Sequence, residues 1–167
     1  MKDRTARHRT KISTPVERLV DARLILPAAD GWNPPDVILD YGCGYGTDAY
    51  FLHADRWDPC YFPDRGPLKD EHYNVVLCTY VLNILPTKAE RQAVLDDVCR
   101  LLHPILGWAY VTVRRDVKGW HRSWRGWQGN VQIPEGEWTA RSLWKTGWYE
   151  TYEITKTPVP ASKRRKR

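Results

Sequence analysis

Three glycines at alternate positions close a short apolar run in Val37-Ile38-Leu39-Asp40-Tyr41-Gly42-Cys43-Gly44-Tyr45-Gly46-Thr47-Asp48. Backbone stripped of side chains can approach a ligand lying across the carboxyl edge of a sheet, where a Cβ would collide. The spacing is G-x-G-x-G. It lacks the third glycine of G-x-G-x-x-G, the pattern whose helix N-terminus holds a pyrophosphate, so a ligand without a pyrophosphate is expected. A ribose diol needs a carboxylate at the tip of the next strand, accepting from both hydroxyls. Asp58, 18 residues after Asp40 in Arg56-Trp57-Asp58-Pro59, meets that need. Pro59 ends the strand and fixes the carboxylate, and Asp55 and Asp64 are less well placed.

A second chemical stretch runs from Gly119 to Gly129 and holds Trp120, His121, Arg122, Trp124, Arg125 and Trp127 without a clear period. A loop or lid is expected. Interleaved aromatic and basic side chains suit stacking on bases and pairing with phosphates; a lid packing its tryptophans onto the sheet is the competing reading. Trp120, His121, Arg122, Trp124 and Arg125 are the candidate substrate-binding residues. His121 is placed for a general base, although a surface histidine without a role is the plainer reading. Cys43, Cys60, Cys78 and Cys99 form no C-x-x-C pair and have no histidine at finger spacing, which argues against a disulfide framework and a zinc site. None has a His or Lys neighbour to lower its pKa, so no cysteine nucleophile is expected.

The elements that must position these residues read helix, strand, short helix, strand, loop, strand, helix, strand, Trp-rich stretch and a final strand pair. Thr14 is expected to cap the first helix, with Pro15 at its first position and Glu17 completing a capping box. Gly31 to Pro35 is a linker. Val37-Ile38-Leu39 and Tyr73 to Tyr80 read as buried parallel strands. Thr87 and Glu90 set a second capping box, followed by Val94, Leu95, Val98, Leu101 and Leu102 at helical spacing. Trp108 to Val113 is a further strand, and Trp138 to Leu143 with Trp148 to Thr155 form a closing antiparallel pair turning near Thr146-Gly147. This order predicts an α/β fold with a Rossmann-like, doubly wound sheet.

The run V-I-L-D-Y-G-C-G-Y-G resembles the first motif of class I methyltransferases, and Asp58 resembles their second, acidic one. Tyr73 to Leu85 looks like their fourth strand and the loop after it. More narrowly, D-Y-G-C-G-Y-G-T-D, W-D-P and Y-V-L-N-I-L followed by A-E-R-Q-A-V-L resemble a methyltransferase-like family associated with DNA phosphorothioation, and similar phage proteins, over roughly residues 8 to 115. The resemblance implies S-adenosylmethionine as cofactor. Asp40 would orient its amino group, Gly42, Gly44 and Gly46 would pass beneath it, and Asp58 would hold the ribose. Tyr41, Cys43, Asp48 and Pro59 complete the implied set, and Thr79 and Tyr80 would line the floor near the methyl group. Cys60 to His72 is too short and polar for the family's third strand and flanking helix. A core trimmed between the second and fourth strands, with its adenine pocket built differently, is therefore expected.

Methyl transfer from a sulfonium is an in-line displacement in which positioning can supply most of the catalysis, so a dedicated base is optional. Tyr80 and Asn83, which follow the strand whose end faces the cofactor, are the candidates for contacting the nucleophile; packing for Tyr80 and a turn cap for Asn83 are the alternatives. Asn33-Pro34-Pro35 precedes the cofactor strand and has Asp36 where DNA amino-methyltransferases place an aromatic residue, and no Pro-Cys pair follows the fourth strand.

At 167 residues the chain fits one domain, read as 12–157. The net charge of +6 lives in a basic N-terminal tail, 1–11, and a basic C-terminal tail, 158–167, leaving the body at −3. Such tails could grip DNA or RNA through phosphate contacts or serve only as solvated charge. No apolar run is long enough for a membrane span and no secretory h-region is present, so a cytoplasmic protein is expected. The leading expectation is a nucleic-acid methyltransferase. The alternatives are a small-molecule methyltransferase and a non-catalytic cofactor-binding module serving a partner.

Overall fold

The computed structural model describes residues 6–27, 36–66, 68–123 and 126–156. Asn33-Pro34-Pro35, Trp124, Arg125 and the terminal basic run 163–167 lie outside the described residues. Strands β1 (Ile38–Tyr41), β2 (Asp55–Trp57), β3 (Val75–Thr79), β4 (Trp108–Arg114), β7 (Trp138–Lys145) and β8 (Tyr149–Lys156) form one sheet in the order β2-β1-β3-β4-β8-β7. The first four are parallel, β8 runs antiparallel to β4, and β7 runs antiparallel to β8. This is the Rossmann-like doubly wound sheet expected from the sequence.

Strand period places alternate residues on opposite faces. Ile38, Val75, Leu77 and Tyr110 pack with Val16, Leu19 and Ile25 of the N-terminal region on one side. Leu39, Val76, Cys78, Ala109 and Val111 pack with Leu95, Val98 and Leu101 of α3 (Lys88–Leu101) on the other. Burial on both faces is why β1 and β3 read as unbroken apolar runs rather than alternating ones. The capping box of α3 forms as expected: Glu90 N donates to Thr87 Oγ1 and Thr87 N donates to Glu90 Oε2.

The cap of α1 (Thr14–Asp21) is a correction. Its N-cap is Ser13, not Thr14, and no side chain caps it. Ser13 donates its backbone N–H and its hydroxyl to the buried carboxylate of Asp48, at 2.7 and 2.8 Å. A carboxylate is the stronger acceptor, and it takes the hydroxyl away from the helix end.

The expected trimming is present. Between β2 and β3, residues 58–74 form no helix or strand among those described, and β3 pairs directly with β1. Polar side chains of this stretch are tied to α3 instead: Arg65 reaches Asp97 at 2.6 Å and lies 4.4 Å over the Trp57 ring. The Trp-rich stretch is not an irregular loop. His121–Ser123 (β5) and Gly126–Gln128 (β6) form a short antiparallel hairpin, with His121 opposite Gln128.

Candidate functional site

The carboxyl ends of β1, β2 and β3 meet at the glycine turn. Gly42 and Cys43 donate their backbone N–H groups to Trp57 O, at 2.7 and 3.1 Å, which folds the turn over toward β2. Gly42, Gly44 and Gly46 have φ of 74°, 56° and 76°, a region costly to residues with a Cβ. At two of them space is also closed. A Cβ on Gly42 would lie 2.4 Å from Val81 Cγ2, and one on Gly44 2.6 Å from the Cβ of Ala6.

Asp58 follows β2 and is nearly buried. Its Oδ1 accepts from Cys60 N and Tyr61 N at 2.7 and 3.1 Å, and its Oδ2 accepts from Gly44 N at 3.0 Å. A carboxylate offers about four acceptor positions, so Oδ2 retains capacity for one more donor. A cavity of about 1420 Å³ opens beside it. Its wall takes in Tyr41, Gly42, Cys43 and Gly44 from the turn, Asp58 and Pro59 after β2, Thr79 and Tyr80 at the end of β3, and His121 from the hairpin.

Asp40 lies within β1, two residues before the turn, and is 2% exposed. Its Oδ2 has no hydrogen-bond partner. Burial, with the neighbouring charge of Asp48, pushes its carboxyl up to about 8, against the opposing pull of Arg9 and of the Ala49 backbone N–H. Asp40 stands behind the cavity wall, which takes in Tyr41 and the turn but not Asp40, and its Oδ2 is an orphaned, buried acceptor there.

Tyr80 has φ 63°, a left-handed conformation unusual for a bulky side chain. Its backbone N–H is fixed to Thr112 O at 2.9 Å. Burial pushes its phenol up to about 12, with Tyr149 adding to the rise and Arg114 and Arg9 opposing it. At neutral pH it is a proton donor, not a base.

Other expected site residues stand elsewhere. Asp48 is 1% exposed and faces α1, accepting from Ser13 and from Arg9. Gly46 caps α2 (Thr47–Leu52) away from the wall. Asn83, in the 3-10 helix Leu82–Ile84, is fully buried. Its Oδ1 accepts from Arg114 N at 2.7 Å and its Nδ2 donates to Gly129 O at 2.5 Å, so its amide is spent on joining β4 to the hairpin rather than on a nucleophile. Trp120 is packed against the core with Arg91 5.1 Å over its ring, and Arg122 lies on an exposed face off the cavity wall.

The cavity wall also holds residues that sequence reasoning missed. Arg114 and Asp116, paired at 2.9 and 2.5 Å, stand with Gln128 and Trp148 in the same wall. The first two follow the end of a readable strand, which was an available signal. Ala6, Arg7, His8 and Arg9 form another wall, so the inner part of the basic N-terminal stretch is docked rather than a separate tail; nothing local in the sequence marks this. Among the described residues no cluster of three or more His, Cys, Asp or Glu could hold a metal, and no helix is long and apolar enough to cross a membrane.

Among solved structures the chain is similar to the 1,6-didemethyltoxoflavin-N1-methyltransferase of Burkholderia thailandensis, solved with bound 1,6-didemethyltoxoflavin and S-adenosylhomocysteine. Identity is 20%, over 86% of this chain and 77% of that one, with a TM-score of 0.59. It is also similar to a protein of Pyrococcus horikoshii OT3, at 11% identity over 86% of this chain and 90% of the other, with a TM-score of 0.56. No protein-family model matches the chain, and no curated protein sequence does. The likeness is one of architecture: the chain has the Rossmann-like fold of class I methyltransferases.

Proposed function

We propose that the chain is an S-adenosylmethionine-dependent methyltransferase acting on a small molecule. One observation carries this reading: a single cavity is lined both by the glycine turn and Asp58 and by Tyr80, the Arg114–Asp116 pair and His121. A nucleoside ligand and a second, polar reactant would fit there side by side. Bound S-adenosylmethionine supplies an electrophilic methyl group. Asp58 accepts from one ribose hydroxyl through the spare capacity of Oδ2, and the buried Asp40 carboxyl balances the charge of the amino group. Tyr80 donates a hydrogen bond to the acceptor substrate and orients its nucleophile, so that positioning carries most of the rate. The bound heterocycle of the Burkholderia neighbour accords with a small, planar substrate.

A nucleic-acid substrate is the second reading, supported by Arg7 and His121 at the cavity wall, by the terminal basic runs, and by the resemblance to DNA phosphorothioation-associated proteins. It ranks second because Trp120 is packed inward instead of being free to stack on bases. Transfer of label from methyl-labelled S-adenosylmethionine to a metabolite extract, to DNA and to RNA tests both readings. Label in the metabolite fraction alone supports the first, label in nucleic acid replaces it with the second, and label in none removes both.

A further inference from the structure

One wall of the cavity comes from outside the sheet. Ala6 to Arg9 cross the glycine turn and line the same cavity as Gly44 and Asp58. Ala6 closes over Gly44, leaving no space for a Cβ there. The His8 ring lies 5.5 Å from that of Tyr45, which in turn lies 4.5 Å from that of Tyr61, beside Asp58. Thr47 Oγ1 donates to Arg9 O at 3.3 Å, and the Arg9 guanidinium donates to Asp48 Oδ2 at 2.9 Å.

Asp48 therefore holds two points of the same segment. Ser13, buried, gives it two hydrogen bonds, while Arg9 gives it one ion pair from a side chain that is 34% exposed. The two attachments differ in strength. Buried, charge-assisted bonds persist, whereas a pair reached by solvent is weakened by screening and by the entropy of a long side chain. The segment is hinged at Ser13 and latched at Arg9.

We infer that Ala6–Arg9 is a retaining strap, which encloses an adenosyl amino acid against the glycine turn and lets it leave when the Arg9–Asp48 latch opens. This rests on the cofactor reading given above. The opposite role, a plug that occupies the ligand's space, would be relieved by opening the same latch, and the kinetics of the two differ. A strap slows release. A plug slows entry.

The test uses the full chain with S-adenosylhomocysteine as probe, followed by stopped-flow tryptophan fluorescence, since Trp57 stands in the cavity wall. Arg9→Ala is expected to speed release about tenfold with little change in association, the size of effect lost with one charge-assisted bond. Arg9→Lys should recover most of the slow release. Salt raised to about 0.5 M should speed release from the natural sequence but not from Arg9→Ala. Release unchanged in Arg9→Ala overturns the strap, as does faster association with tighter binding, the mark of a plug. Asp58→Ala, measured alongside, separates the two ideas. If the natural sequence binds and Asp58→Ala weakens binding while Arg9→Ala releases at the original rate, the strap alone fails. If the natural sequence does not bind the probe, the cofactor reading fails and the strap falls with it.

Discussion

The backbone N–H of Gly44 donates to Asp58 Oδ2 at 3.0 Å, so the glycine turn after β1 and the carboxylate after β2 are one connected unit. The backbone of the turn and the Asp58 carboxylate are set by each other. Disturbing either displaces both.

Asp58→Ala is accordingly expected to cost affinity and order together. Loss of the bond to a ribose should weaken S-adenosylhomocysteine binding by about 1 to 3 kcal/mol, read by calorimetry. The freed N–H groups of Gly44, Cys60 and Tyr61 should also lower the melting temperature. Affinity equal to that of the natural sequence would remove Asp58 from the ligand site.

The glycines separate strain from space. Gly46→Ala meets nothing closer than 3.4 Å but must hold φ near 76°, so a loss of about 1 kcal/mol of stability is expected, with binding retained. Gly42→Ala adds an overlap with Val81 and should lose binding as well. Denaturant melts and calorimetry on both proteins make the comparison; equal behaviour would show that space at Gly42 does not matter.

Asp40 gives a pH dependence of defined sign. Its folded carboxyl, pushed up to about 8 from an ordinary 3.8, contributes stability that is present below the ordinary value and is lost as pH rises through about 8. Relative to Asp40→Asn, the natural sequence should therefore become steadily less stable across that interval. Binding an ammonium requires the ionised form, so affinity for S-adenosylmethionine should climb between about pH 6 and about pH 7.5, with a proton released on binding. Calorimetry in buffers of different ionisation enthalpy reads that proton, and its absence would place the ammonium elsewhere.

Tyr80 and Asn83 should part company. Tyr80→Phe keeps the packing and removes the donor, so methyl transfer should fall about tenfold, as for one lost hydrogen bond, with S-adenosylhomocysteine affinity intact. Asn83→Ala leaves Arg114 N and Gly129 O unpaired and should cost about 1 to 3 kcal/mol of stability. Faster amide exchange centred on the hairpin, β5 and β6, is expected with it; exchange unchanged there would show that Asn83 does not clamp it.

Legibility followed sequence distance. The glycine turn, the capping box of α3 and the apolar runs of β1 and β3 are local patterns of a few residues, and all were readable. The absence of a third strand was equally plain, because residues 60–72 supply too few apolar positions to build one. Asp48 and Asn83 were misplaced because their partners lie far along the chain, at Ser13 for one and at Arg114 and Gly129 for the other. Their residue types suit a site and a buried clamp equally well. The docking of Ala6–Arg9 hid in the same way, since a stretch rich in arginine has the composition of a solvated tail whether or not one of its guanidiniums meets a buried carboxylate.

Losing the third strand leaves the sheet with two unlike borders. On one side β2 is only three residues long, too short to template another chain. On the other, β7 is eight residues long, interrupted by a bulge between Ser142 and Trp144 and carrying Arg141 and Lys145. Kinks and like charges frustrate stacking between copies. Among the described residues, both borders of the sheet thus offer a second copy only a short or an interrupted hydrogen-bonding row.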